Sequence, residues 1–222
     1  MPKIILHQID GSPPSRAVLM VKELLGLDME VKEVNTVAGD QFKPEYLAKN
    51  PIHTVPLIED GDFILADSHA IMTYLVSKYG ADKRSQLYPS DFKTRAIIDQ
   101  RMYFEASIVF TTFRAIMESI LKHKAKTISK ELINKTEKVY EYLETYLQAS
   151  QFLASDQITL ADISAVATVT TLHLVVPISD KFVKIHQWLE QLYDKDWYQK
   201  ANLPGLGRIE GFMKQFLQKS AA

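Results

Sequence analysis

An α/β domain of order βαβαββα followed by an all-helical bundle is the fold class this sequence predicts, and three observations predict it. The chain has 222 residues, room for one large domain or two small ones at ~100–200 residues each. Seven of the nine prolines and five of the eight glycines precede residue 90, whereas residues 90–176 contain neither. These residues are the strongest punctuators of local structure, so the first part reads as short alternating elements and the second as long helices. Apolar spacing agrees, with short strand-like runs first and i, i+3, i+4 stripes later. The expected division is a domain over 1–80, a linker over 81–90 and a helical domain over 91–222.

The elements follow in order. Residues 3–8 form a buried-strand run, and 15–25 a helix pattern stopped by Gly26. Residues 29–34 alternate as a strand, and Pro44 opens a short helix over 44–49. Strands over 55–58 and 63–66 are joined through Glu59-Asp60-Gly61-Asp62, where Asp-Gly favours a hairpin turn. Asp67 or Ser68 caps a helix that runs to Tyr79 and stops at Gly80. The order suits a small mixed sheet with helices on both faces. In the second part Ser90 caps a helix to about Leu121, and a second helix covers 129–149. Thr159-Leu160-Ala161-Asp162 is a capping box, with Ile158 and Ile163 as its staple, opening a helix that ends before Pro177. Phe182, Ile185, Leu189 and Leu192 mark a further helix.

Composition excludes several function classes. Apolar residues make up 46% of the chain and charged residues 24%, the proportions of an ordinary globular protein. Lys plus Arg (26) nearly cancels Asp plus Glu (27), leaving a net charge of -1, so no global field draws in nucleic acid or an anionic membrane. There is no cysteine, which removes disulfides, zinc-thiolate sites and thiol nucleophiles. Sulfur chemistry here would need a ligand that brings the sulfur. The N-terminal apolar run is too short for a signal peptide and no stretch approaches ~18 apolar residues, so the expected location is cytoplasmic.

Three segments hold candidate chemistry. Ser12-Pro13-Pro14-Ser15 lies between the first strand and helix, where a thioredoxin-like βαβ unit would carry CxxC at a helix N-terminus that favours anions. A serine there can donate a hydrogen bond to a ligand's thiolate, although Ser-Pro-Pro-Ser also reads simply as a cap with early prolines. Asn50-Pro51-Ile52-His53-Thr54-Val55-Pro56 enters the third strand through a proline. That placement suits an edge strand, and a cis Val55-Pro56 bond would turn the Val55 backbone outward to pair with a peptide. At Asp67-Ser68-His69-Ala70, the Ser68 hydroxyl with free helix N–H groups suits a carboxylate and Asp67 suits an ammonium; both residues are also ordinary capping groups.

Together these motifs, with Leu-Tyr-Pro at the boundary and the capping box at 159–162, resemble the cytosolic glutathione transferases over essentially the whole chain. Serine at the thiol position, Asp-Gln-Phe-Lys-Pro-Glu-Tyr-Leu at 40–47 and Phe-Glu-Ala-Ser at 104–107 look most like the insect delta and epsilon classes, with epsilon favoured. The resemblance implies that glutathione is the co-substrate, that no metal is used, and that Ser12 activates the thiol. It implies that Val55 pairs with the cysteinyl backbone before cis Pro56, with Thr54 in the same segment, and that His53 meets the glycyl carboxylate. Asp67 and Ser68 would hold the γ-glutamyl end. Two departures stand out: epsilon proteins commonly carry His where this chain has Gln41, and Glu where it has Asp67. Gln41 can donate a hydrogen bond but brings no charge, implying a weaker grip on the glycyl end.

A hydrophobic electrophile should sit against the 90–121 helix, at Phe110, Phe113, Arg114, Met117 and Leu121, with Phe212 and Phe216 as roof; each could equally be plain core. The reading is a conjugating enzyme for detoxification. The rival is a carrier of hydrophobic ligands such as steroids, with conjugation incidental. A lens-type module that has lost glutathione is disfavoured by the intact Ser12, His53, Pro56, Asp67 and Ser68 set. A homodimer is implied as well, and apolar groups on more than one face of the 90–121 helix are compatible with it.

Overall fold

The computed structural model describes residues 3–217; the expected domain limits at 1 and 222 lie outside the described residues. The chain runs through β1 (Ile4–Gln8), α1 (Pro13–Leu25), β2 (Met29–Glu33), α2 (Pro44–Leu47), β3 (Leu57–Asp60), β4 (Phe63–Ala66) and α3 (Ser68–Tyr79). This is the expected βαβαββα order. The sheet order is β2-β1-β3-β4, with β1 and β2 parallel and the other two pairs antiparallel. Gly26, at φ 65, ends α1 in the left-handed region, where a side chain would be strained. Asp60 pairs with Phe63, so Gly61 and Asp62 form a two-residue hairpin loop.

Two expectations in this half, the start of α1 and the edge position of the third strand, are corrected, and two are narrowed. α1 starts at Pro13, two residues early, because proline's fixed φ suits the first helical position. β2 ends one residue early, at Glu33, and is an edge strand with only Met29 buried. The third strand begins at Leu57 and lies inside the sheet, paired on both sides; Pro56 precedes the ladder and removes no donor from it, so an edge position is not needed. Asp67, not Ser68, is the cap of α3, accepting from His69 and Ala70 N–H at 2.9 and 3.1 Å.

Residues 81–87 form two short helical turns, the second being α4 (Arg84–Leu87). Then follow α5 (Phe92–Phe104), α6 (Phe110–Leu121), α7 (Lys130–Leu147), α8 (Leu160–His173), α9 (Val183–Tyr193), α10 (Asp196–Ala201) and α11 (Leu203–Phe216). Asp91 rather than Ser90 caps α5, its carboxylate accepting from Thr94 N–H at 2.8 Å. The expected continuous helix to Leu121 is broken by a π-helical turn, Glu105–Val109, a feature that inserts one residue per turn and frequently marks functional places. Ser129 caps α7 as expected, at 3.3 Å from Leu132 N–H. At α8 the reciprocal box forms: Thr159 Oγ1 accepts from Ala161 N–H at 3.3 Å and Asp162 Oδ2 from Thr159 N–H at 2.9 Å.

Every residue of α8 from Leu160 to Leu172 is buried. It packs against α5, α6 and α11 of its own half and against α1 and α3 of the first half, so one core cluster runs through both. The sheet thus meets the bundle along α1 and α3, with the C-terminal end of β1 at the junction.

Candidate active site

Strand register brings the three motif segments to one end of the sheet. His7, near the end of β1, faces Leu57, the first residue of β3, and Leu57 faces Ala66, the last of β4. The loop to Ser12, the Val55-Pro56 entry and the Asp67-Ser68 helix start therefore share an edge. The Val55-Pro56 bond is cis.

Ser12 occupies the N-cap position of α1, yet its side chain makes no capping bond. The following residues remove one of its two capping donors. A cap hydroxyl accepts from the second or third helical N–H, and Pro14 has none. Arg16 N–H already donates to Ser12 O at 3.0 Å, and Ser12 N–H is held by Ile9 O at 2.9 Å. The backbone of Ser12 is fixed while its hydroxyl is free of the helix.

Beside Ser12 opens a cavity of about 290 Å³ between the halves, lined by Ile9, Gly11, Ser12, Pro13, Thr36, Val37, Phe110, Phe113, Met117, Leu121, Arg208, Ile209 and Phe212. At ~100° per residue, Phe110, Phe113, Met117 and Leu121 fall within an arc of roughly 80° on α6. Arg114 lies outside that arc, is exposed, and is not in the lining. Phe216 is not in the lining either; it stacks on Phe212 at 5.0 Å between centroids. Thr36, Val37, Arg208 and Ile209 join the cavity through loop and last-helix packing, which no local pattern announced. Arg208 is tied down by Asp10 Oδ1 at 3.0 Å. A larger cleft of about 430 Å³ elsewhere, rimmed by Lys83, Lys195 and Lys200, contains no residue of the segments 12–15, 50–56 and 67–70.

The 50–56 loop is rigidly held. Tyr46 and Asn50 both donate to Thr54 O, at 2.6 and 2.9 Å, and Asn50 is buried. His53 is exposed at φ 50, its ring tilted 4.8 Å from Phe42. The ladder starts at Leu57, which leaves Val55 outside it. Gln41 is nearly buried and turns one amide N–H inward to Thr36 O at 3.2 Å.

At the start of α3, Ser68 is buried and the Asp67 side chain is 66% exposed. The His69 ring beside Asp67, with the Ala70 and His69 N–H groups, holds its carboxyl below the usual range against partial burial. Sequence reasoning quoted His69 and Glu105 without giving them a role; the structure joins them. His69 Nε2 lies 3.0 Å from Glu105 Oε2 and 2.9 Å from Ser164 Oγ, and Nδ1 lies 3.6 Å from Asp67. Burial opposes the imidazolium, but these two carboxylates outweigh it and lift the His69 pKa to about 9. The only sequence signal was a carboxylate within the largely apolar stretch 102–110. Among the described residues no group of His, Asp or Glu is arranged to hold a metal, and no helix is long and apolar enough to cross a membrane.

Family models for the glutathione S-transferase N-terminal domain and C-terminal domain match residues 6–83 and 97–196. Glutathione S-transferase 1 of Manduca sexta is 42% identical over 203 residues, covering 90% of this chain and 92% of that one. An epsilon-class glutathione S-transferase from the housefly, Musca domestica, superposes with a TM-score of 0.93 at 40% identity, covering 96% and 98% of the two chains. A glutathione transferase homologue from Drosophila mojavensis, solved with bound glutathione, gives a TM-score of 0.93 at 39% identity, covering 98% and 99%.

Proposed function

The chain belongs to the glutathione S-transferase family, and on that premise we propose that it joins the thiol of glutathione to hydrophobic electrophiles, with Ser12 as the activating residue. The observation that carries this reading is the Ser12 hydroxyl itself: it makes no capping bond, and Ser12 lines the interdomain cavity. A free thiol with pKa ≈ 8.5 is only a few per cent ionised at pH 7. A hydroxyl donating to the sulfur, at the positive end of α1, favours the thiolate. The thiol proton passes to solvent, the sulfur then bonds to the electrophilic carbon, and the leaving group, chloride in the case of 1-chloro-2,4-dinitrobenzene, departs with the electron pair of the bond it breaks.

In this reading residues 1–80 bind glutathione, 81–90 link, and 91–222 carry the electrophile site. Asp67, ionised and largely exposed, takes the γ-glutamyl ammonium, and Ser68 with the α3 N-terminus takes its carboxylate. Val55 pairs with the cysteinyl backbone from the loop pinned by Asn50 and Tyr46. His53 receives the glycyl carboxylate; Gln41, with an N–H spent on Thr36, assists weakly. Phe110, Phe113, Met117, Leu121 and Phe212 receive the electrophile, in an apolar, water-poor environment that strengthens the thiolate as nucleophile. The functional unit is a homodimer: Phe92 and Tyr103 on α5 are 88% and 73% exposed and Phe63 and Ile64 on β4 are also exposed, the kind of apolar surface that a two-fold partner covers.

The test is Ser12→Ala with 1-chloro-2,4-dinitrobenzene as electrophile. One charge-assisted hydrogen bond is worth ~1.5–3 kcal/mol, so turnover falls ~10²-fold while glutathione affinity stays within roughly tenfold. Turnover at the wild-type level in this variant overturns the assignment.

A further inference from the structure

Arg16 is the only arginine among the fully buried side chains of the described residues. It sits in the first turn of α1, one turn past Ser12. Its Nε donates to Asn202 Oδ1 at 2.8 Å, Nη1 to Gly11 O at 3.1 Å and to Asp10 O at 3.5 Å, and Nη2 to Ala167 O at 2.7 Å and to Thr171 Oγ1. Every acceptor is neutral. The carboxylate of Asp10 is engaged by Arg208 instead, and Tyr198 is the other titratable group whose field reaches the guanidinium. Two features of this arrangement need a reason. A cation taken out of water without a carboxylate is costly, and a neutral side chain could fill the same space. Moreover, two of its bonds go to the carbonyls of the residues immediately before Ser12. Gly205, at the start of α11, packs against both partners of this contact: an added Cβ there would run into Asp10 O and Arg16 Cδ.

We propose that Arg16 is a positioning residue for Ser12: its guanidinium clamps the Asp10 and Gly11 carbonyls to α8 and to Asn202, and its unpaired buried charge biases bound glutathione toward the thiolate. A rigid five-donor fork suits several carbonyls at once, which an ammonium does not. In a low-dielectric surrounding a buried charge with no carboxylate bonded to it acts over a longer distance than a surface charge does, and the Asp10 carboxylate offsets it only through space. Burial lowers the Arg16 pKa to about 10, still far enough above neutrality to keep the charge. The inference rests on the proposed role of Ser12, and it ties the loop before that residue to the helical half through Ala167, Thr171 and Asn202.

The experiment titrates the thiol of bound glutathione by thiolate absorbance near 240 nm, alongside the pH profile of kcat/KM with 1-chloro-2,4-dinitrobenzene. Asn202→Asp places a carboxylate on Arg16 at a contact that already exists, neutralising its field while leaving the carbonyl clamp in place. The expected result is a bound-thiol pKa raised by ~1 unit, with kcat/KM reduced ~10-fold near pH 6.5 and recovered at high pH, and with glutathione KM within about twofold. Arg16→Lys keeps the charge and loses the fork, so kcat falls ~5-fold or more at every pH with the thiol pKa little changed. A bound-thiol pKa that is lowered in the wild type, lost in Ser12→Ala and unmoved in Asn202→Asp overturns the electrostatic role alone. Wild-type kcat in Arg16→Lys overturns the clamp. A wild-type bound thiol that titrates like free glutathione overturns the Ser12 reading, and this inference with it.

Discussion

Removing Asp162 should cost the fold far more than removing a helix cap. A capping box by itself assigns ~1 kcal/mol to Thr159→Ala and to Asp162→Ala alike. The structure separates them. Asp162 is fully buried, and its two oxygens accept from Leu153 N–H at 2.8 Å, Trp188 Nε1–H at 3.0 Å, Thr159 N–H at 2.9 Å and the Thr159 hydroxyl at 3.1 Å. Three of these donors have no alternative acceptor role and are left unpaired when the carboxylate goes. At ~1–3 kcal/mol for each buried unsatisfied donor, the loss is roughly 3–9 kcal/mol. Against it stands the relief of no longer burying a charge. Burial pushes the Asp162 pKa up to about 6, some two units above an unfolded aspartate, or on the order of 3 kcal/mol.

The sign of that second quantity fixes the assay conditions. A folded pKa above the unfolded value means that the folded chain holds the proton more tightly, so the stability this proton contributes is full below about pH 4 and gone once the pH has risen past about 6. At pH 7.5 the group is ionised and the donor count applies. The net expectation for Asp162→Ala there is a loss of roughly 0–6 kcal/mol, centred near 3, against ~1 kcal/mol for Thr159→Ala, whose own hydroxyl bond to Ala161 is long at 3.3 Å. Urea unfolding at fixed protein concentration measures both, and the glutathione affinity of the folded variants should be unchanged. Equal midpoints for the two variants would refute the hub reading and leave only a cap.

Three further outcomes are expected. The His69 pKa, about 9 in the fold against 6.5 unfolded, makes the protonated ring a stabiliser that acts in full below about pH 6.5 and is lost by about pH 9.5; thermal midpoints should fall across that window, with up to ~3 kcal/mol at stake, and His69→Gln should flatten the slope. Gly205→Ala, which drives a Cβ into Asp10 O and Arg16, should lower stability by ~2 kcal/mol and reduce turnover, whereas Gly207→Ala, with nothing within 4 Å, should be neutral or stabilising by up to ~1 kcal/mol; equal thermal midpoints would reject the close approach. Light scattering at micromolar concentration should give a mass near twice 25.3 kDa, and charge introduced by Tyr103→Glu should shift it toward the monomer; a wild-type monomer would reject the dimer.

What was legible in the sequence is what local chemistry decides. Gly26 ends α1 because only glycine sits easily at φ 65, and the reciprocal box at Thr159 is written in four consecutive residues. The Ser12, Val55-Pro56 and Asp67 segments were legible as motifs, and the strand register then gathers them at one edge. What was not legible is what tertiary packing decides. Ser90 and Asp91 are adjacent capping candidates, and only the turn geometry selects the longer side chain, which reaches Thr94 N–H. The π turn at Glu105–Val109 leaves the apolar periodicity of the long helix nearly intact, so the sequence reads as one unbroken segment. Pro56 resembled an edge residue because its missing N–H is costly only within a ladder, and the ladder starts one residue later. Arg208, Ile209, Thr36 and Val37 reach the cavity across long sequence separations.

The polar residues of α8 show why the halves meet in one register. A helix buried on every side has no amphipathic stripe to choose its orientation, and α8 is such a helix. Its orientation is chosen instead by groups that must find partners once desolvated. Ser164 meets His69 of α3, Thr168 donates to Glu105 of the π turn at 2.5 Å, and Ala167 O and Thr171 accept from Arg16 of α1. These contacts recur at three- and four-residue spacing along the helix. Rotating α8 by one residue, ~100°, would keep most apolar burial, since valine, alanine and isoleucine occupy the other faces. It would take the Ser164 and Thr168 hydroxyls from the buried His69–Glu105 pair and two acceptors, Ala167 O and Thr171 Oγ1, from the Arg16 guanidinium. The cost of that error is what makes the junction beside Ser12 unique, because the same three side chains end on the loop before Ser12, on the Asp67 helix start and on the helix that leads into the cavity.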